Sequence, residues 1–185
     1  QESSRHSQLI NEFIKRKYNK NYLKFSEKEK INFLKSQLSS KKNKINNFQF
    51  KNKENKEIWS TFKLLSNEPS ECLGAYVISM TTSISDILSV SFLQKEANIK
   101  NKLRVVPLFE TLDDLINAKE IMESLFSQNW YRKLIKNNQE VMIGYSDSSK
   151  DAGKMCASWH QYKAQEEIIK LGKKFNINIT FFHGR

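Results

Sequence analysis

The chain has 185 residues, enough for one domain with a core of its own, yet only 38% of them are hydrophobic and the formal charge is +11. No apolar run approaches the ~18 residues that a membrane-crossing helix needs, and the charged, polar start excludes a signal peptide. Two cysteines, Cys72 and Cys156, lie in different segments without ligand-like spacing. They read as free thiols in a reducing cytoplasm, with a disulfide left open.

The charge is unevenly placed. Residues 1–70 carry 16 Lys/Arg against 7 Asp/Glu, whereas residues 71–185 carry 15 against 13. A basic first third suits nucleic acid or anionic lipid. Its lysines, however, alternate with asparagines and glutamates, and no RRM-, KH- or zinc-knuckle-like pattern occurs. We expect no nucleic acid and no membrane as partner, and a solvated outer face over residues 15–56. The chain starts on Gln1 and stops on Arg185 straight after an apolar run, so an internal piece of a longer protein is expected.

In chain order, residues 7–17 place Leu9, Ile10, Phe13 and Ile14 at helical spacing. Ser26 with Glu29 three positions on matches a capping box, opening a helix through Ile31, Phe33, Leu34 and Leu38. Residues 41–53 are polar and Asn-rich, and read as loop. A helix over about 54–66 carries Ile58, Trp59, Phe62 and Leu65 on one side. It closes before Pro69, since the residue preceding proline disfavours helix.

From there the texture changes. Residues 76–80 (YVISM) read as a short buried strand, 86–97 as a helix and 104–109 (RVVPLF) as a second strand. Pro107 must then sit where no ladder donor is needed. Thr111 and Asp114 mark a helix start, followed by Leu115, Ala118, Ile121, Met122 and Leu125, with a helical turn or two at 130–136. A strand over 141–145, a long helix over 152–174 and a final strand over 177–182 complete the chain. Strand centres near 78, 107, 143 and 180 recur about every 30 to 37 residues, the length of a β-α unit. Strands buried on both faces and separated by helices imply a parallel sheet with right-handed crossovers. The expected fold is α/β: about four parallel strands of a partial (β/α)8 TIM-type barrel with additional helices, a doubly wound sheet being second choice. Residues 1–70 are expected as a helical, basic segment outside that barrel, and 71–185 as its consecutive β-α units.

The densest polar cluster is residues 140–153, EVMIGYSDSSKDAG. An apolar run stops at Gly144-Tyr145 and opens onto Ser146, Asp147, Ser148, Ser149, Lys150 and Asp151. In parallel α/β folds chemistry sits in such loops, where strand C-termini meet helix N-termini. The same residues also read as a Ser/Asp-rich helix cap with a solvated lysine. If the strands are parallel, one rim holds Glu110, Asp147, Lys150, His183 and Arg185. Two carboxylates from separate strands suit Mg²⁺ or Mn²⁺, and cations beside them suit a phosphorylated or carboxylated anion. Trp59, Trp130 and Trp159 read as core or interface, and His6 and His160 as surface or supporting groups.

The stretches AYVISM (75–80), RVVPLFETLDDL (104–115), VMIGYSDSSKDAG (141–153), YKAQEEI (162–168) and FFHGR (181–185) resemble phosphoenolpyruvate carboxylase of the bacterial kind. QESSRH (1–6) resembles the segment after an earlier barrel strand in that family. The resemblance implies a homotetrameric, cytoplasmic barrel enzyme that converts phosphoenolpyruvate and bicarbonate to oxaloacetate and phosphate with a divalent metal, feeding the tricarboxylic acid cycle. By position it implies Glu110 and Asp147 as metal ligands and Lys150 as a catalytic lysine. It implies His183 and Arg185 at the substrate phosphate. Other family residues that complete the site fall outside these 185, so the piece alone is expected to be inactive. Another metal-dependent barrel enzyme acting on a phosphorylated or enolate-forming substrate, or a basic RNA-binding module, are the alternatives from other classes.

Overall fold

Local side-chain chemistry settles where several helices begin. In the computed structural model, which describes residues 2–40, 45 and 47–184 (residue 70 by its backbone alone), the expected capping box at Ser26 forms, and the expected helix start at Thr111 is a second one. The Ser26 hydroxyl accepts the Glu29 N–H while Glu29 accepts the Ser26 N–H at 2.8 Å. Thr111 and Asp114 exchange the same pair of bonds at 3.1 Å each. Each box satisfies two amides that a helix start leaves unpaired. The loop expected over 41–53 falls partly outside the described residues, and its last residue, Lys53, already opens a helix.

The chain forms two compact units, one of residues 1–76 and 85–103, the other of residues 77–84 and 104–185. The first is helical: α1 (Ser3–Tyr18), α2 (Glu27–Ser39), α3 (Lys53–Asn67) and α4 (Ile84–Glu96). α1 buries Leu9, Ile10, Phe13 and Ile14, each side chain contributing roughly 1.5–3 kcal/mol by leaving water. Asn19 ends it with a left-handed φ of 52°, a conformation asparagine tolerates. Glutamates cap two helices from a distance. Glu12 takes the Asn52 N–H (3.4 Å), the Asn55 amide (2.7 Å) and the Lys51 N–H at the start of α3. Glu27 takes the Ser85 N–H and hydroxyl, both at 2.8 Å, at the start of α4. Burial pushes the Glu12 carboxyl up, but the bonds from Asn55, Lys51 and Asn52 and the charge of Arg16 outweigh it and hold the group below its ordinary value.

His6 is not a surface group. It is fully buried, with Nε2 2.8 Å from the Tyr76 hydroxyl, and Tyr76 stacks on Phe62 at 5.3 Å. Burial drives its pKa down to about 3, so the imidazole is neutral at physiological pH.

The second unit carries the sheet. β1 (Ala75–Ile78), β2 (Arg104–Phe109), β3 (Asn138–Gly144) and β4 (Asn178–Gly184) lie side by side in that order. β2 pairs parallel with β3, and β3 with β4. The connections run through α5 (Leu112–Phe126) and α6 (Asn129–Leu134), then through α7 (Ser146–Phe175). α5 and α7 pack together, burying Leu115, Ala118, Met122 and Leu125 from one and Ala157, Ala164, Ile168 and Leu171 from the other. The α/β class and the parallel sheet agree with the sequence reading. Two details differ. β3 begins at Asn138, three residues before its apolar run, because Asn138, Gln139 and Glu140 pair with Asn178, Ile179 and Thr180. Among the described residues β4 ends the strand order, and it is less buried than expected, Phe182 being 57% exposed.

Candidate active site

Strand register sets the ends of β2, β3 and β4 at one edge of the sheet. Phe109 pairs with Ile143, and Ile143 with His183, so the ends of β2, β3 and β4 form a single transverse row. Glu110, Gly144 and Gly184 follow immediately, and Tyr145 leads into α7. Strands in register that point the same way must release their next residues at one edge, which is where ligands gather in parallel α/β folds.

Glu110 sits directly after β2, half-buried. Its N–H and that of Thr111 go to the Asp114 carboxylate at 3.3 and 3.1 Å, while its carbonyl accepts the Ser148 N–H at 2.8 Å. β3 passes very close: a Cβ added at Gly144 would stand 2.5 Å from the Glu110 Cβ. Only glycine permits that approach. The Glu110 carboxyl is pushed above its ordinary value, first by burial, then by the negative charge of Asp147 and that of Asp114, with a backbone N–H from Met80 opposing.

Asp147 lies in the first turn of α7 rather than in a loop. The helix starts at Ser146, and the Ser149 and Ser148 hydroxyls bond back to the Tyr145 carbonyl at 2.8 and 3.4 Å. The expected loop over 146–151 is thus a helical turn, which the sequence hides because Gly153 interrupts the helix with φ 77°, ψ 159°. Lys150, largely exposed, places Nζ 3.0 Å from Asp147 Oδ1. His183 is exposed, and its Nδ1 meets the Tyr145 hydroxyl. Arg185 lies outside the described residues.

The structure therefore pairs Lys150 with Asp147, sets Glu110 within reach of the Asp147 charge, and places His183 on the neighbouring strand end against Tyr145. Among the described residues no group of three or more His, Cys, Asp and Glu side chains gathers as a metal cage. Carboxylate oxygens at one strand edge are the kind of donor a hard divalent cation takes, with water and substrate oxygens in its other positions. The residues present fit such an ion. Sequence reasoning missed Tyr145, Ser148 and Gln161. Gln161, 6% exposed, donates to the Gly144 carbonyl (3.2 Å) and the Ser148 hydroxyl (3.1 Å). No signal in the sequence links residues 13 and 17 positions apart within a loop–helix pair.

Acidic and basic side chains at the carboxyl ends of parallel strands mark an α/β protein with a polar strand-end rim, the usual place for chemistry in such folds. The chain belongs to the phosphoenolpyruvate carboxylase family, whose model matches residues 1–185. It is 48% identical to C4 phosphoenolpyruvate carboxylase of Flaveria trinervia, 47% identical to phosphoenolpyruvate carboxylase 3 of Arabidopsis thaliana and 46% identical to phosphoenolpyruvate carboxylase of Aliivibrio salmonicida. Each match covers all of this chain but 19%, 19% and 21% of the relative, so the chain spans about a fifth of their length. Plant and bacterial relatives match about equally well.

Proposed function

We propose that this chain forms the metal- and phosphate-handling part of a phosphoenolpyruvate carboxylase, as four successive units of a (β/α)8 barrel. In the full-length protein, a cytoplasmic homotetramer, it serves the carboxylation of phosphoenolpyruvate by bicarbonate to oxaloacetate and phosphate. The observation that carries this reading is the register of β2 and β3, Phe109 with Ile143, which sets Glu110 and the turn bearing Asp147 at one strand edge, inside the two stretches, LFET and GYSDSSKDAG, that carry the strongest family resemblance.

Glu110 and Asp147 would hold the divalent ion, Mg²⁺ or Mn²⁺. When bound, that ion supplies fixed positive charge where negative charge develops on substrate oxygen. Phosphoryl transfer to bicarbonate gives carboxyphosphate and the enolate of pyruvate. Carboxyphosphate then releases CO₂, which the enolate captures. The chain's own groups act around these steps. Lys150, on a flexible stem beside Asp147, neutralises anionic oxygen. The Tyr145 hydroxyl on Nδ1 orients the His183 ring, leaving Nε2 to meet the substrate phosphate, with Arg185 completing the clamp on that phosphate.

Asp147→Asn in the full-length protein tests the assignment. Oxaloacetate formation is expected to fall about a hundredfold or more at limiting Mn²⁺. Unchanged dependence on metal concentration would refute Asp147 as a ligand.

A further inference from the structure

The turn that carries Asp147 is cut off from the helix behind it. Gly153 adopts φ 77°, ψ 159°, a region open essentially to glycine alone. The regular helical bonding that would lock residues 146–152 to the rest of α7 is therefore interrupted. Some other contact must hold the turn in place relative to β3 and Glu110.

The Ser148 N–H on the Glu110 carbonyl and the Leu112 N–H on the Asp151 carboxylate tie it to the end of β2, and a further, buried contact comes from beyond the break. The buried Gln161 amide reaches back to both ends of the Gly144–Ser148 segment, donating to the Gly144 carbonyl at 3.2 Å and to the Ser148 hydroxyl at 3.1 Å. Ser148 is itself fully buried and donates its N–H to the Glu110 carbonyl at 2.8 Å. A chain of hydrogen bonds thus runs from Gln161 through Ser148 to the backbone of Glu110, passing the residue next to Asp147. The geometry points to Gln161 as the positioning residue that sets the spacing between the Glu110 and Asp147 carboxylates across the Gly153 break. This inference rests on the metal reading above. Gln161 touches neither carboxylate; it acts through Ser148 and Gly144.

The test uses Mn²⁺ binding to the full-length protein, read from the paramagnetic resonance signal of the free ion. Gln161→Met keeps the volume and removes both donors. It is expected to weaken Mn²⁺ binding about tenfold or more, the usual consequence of losing a group that orients a ligand, while the thermal midpoint stays near that of the parent. Ser148→Ala is expected to move affinity in the same direction by less, and serves if Gln161→Met does not fold. Lys163→Met, on the exposed side of α7, is expected to change nothing. Affinity in both Gln161→Met and Ser148→Ala within twofold of the parent would overturn the inference. If Asp147→Asn weakens Mn²⁺ binding while these two do not, only the positioning role fails. If Asp147→Asn also leaves it unchanged, the metal reading fails with it.

Discussion

The helical unit and the strand unit use the same side chain in opposite ways. Glu12 and Glu27 in the helical unit spend their carboxylates on backbone N–H groups at helix starts, and the Glu12 carboxyl sits below its ordinary value. Glu110 in the strand unit is held close to Asp147 and Asp114 and sits above it. A carboxylate surrounded by donors stabilises the fold. One that is part-buried beside other carboxylates gains nothing for the fold from its charge, and suits the proposed role of holding a positive ligand.

The sharpest way to break this contrast is through Gly144. Gly144→Ala drives a methyl to 2.5 Å from the Glu110 Cβ, so β3 or Glu110 must move. A loss of about 1–3 kcal/mol is expected, together with weakened metal dependence, measured by denaturant unfolding and steady-state assay on the full-length protein. A neutral result would show that the rim is soft. Next, removing the Glu12 carboxylate leaves the Asn52 and Lys51 amides and the Asn55 side chain without their acceptor. Glu12→Ala should destabilise the α3 start by roughly 1–3 kcal/mol, seen as faster hydrogen exchange over 53–67. Its lowered pKa means that this contribution is present above the unfolded value of 4.5 and lost as pH falls through the folded one. Glu110→Gln should do the reverse and least: a small gain near neutral pH, damped by solvent screening, because a raised carboxyl favours folding below its unfolded pKa and loses that advantage as pH rises. Destabilisation by Glu110→Gln would erase the distinction between the two units.

Much of this was legible where the cause is local. Both capping boxes, the strand at 104–109 and the amphipathic face of α5 follow from neighbours a few residues apart. The candidate carboxylates were also legible, because Glu110 and Asp147 each follow an apolar strand and a parallel sheet must deliver them to one edge. What stayed hidden depends on distant partners. Asn138, Gln139 and Glu140 look like loop until β4 pairs with them. Gln139 is then buried against the Tyr131 hydroxyl at 2.7 Å and the Val105 carbonyl at 3.0 Å. The reading of His6 stayed open between surface and supporting group because its burial is set by Phe62 and Tyr76, far along the chain.

The transverse row of Phe109, Ile143 and His183 also restricts how this stretch can vary. Side chains alternate between the two sheet faces, so deleting one residue within β4 would turn the imidazole toward the opposite face and move Gly184 away from Gly144. The count of residues from Asn178 to His183 is therefore under the same constraint as the identity of the histidine. Insertions are cheap in the turns that precede a strand, but inside β4 a change in length acts like the loss of the side chain itself.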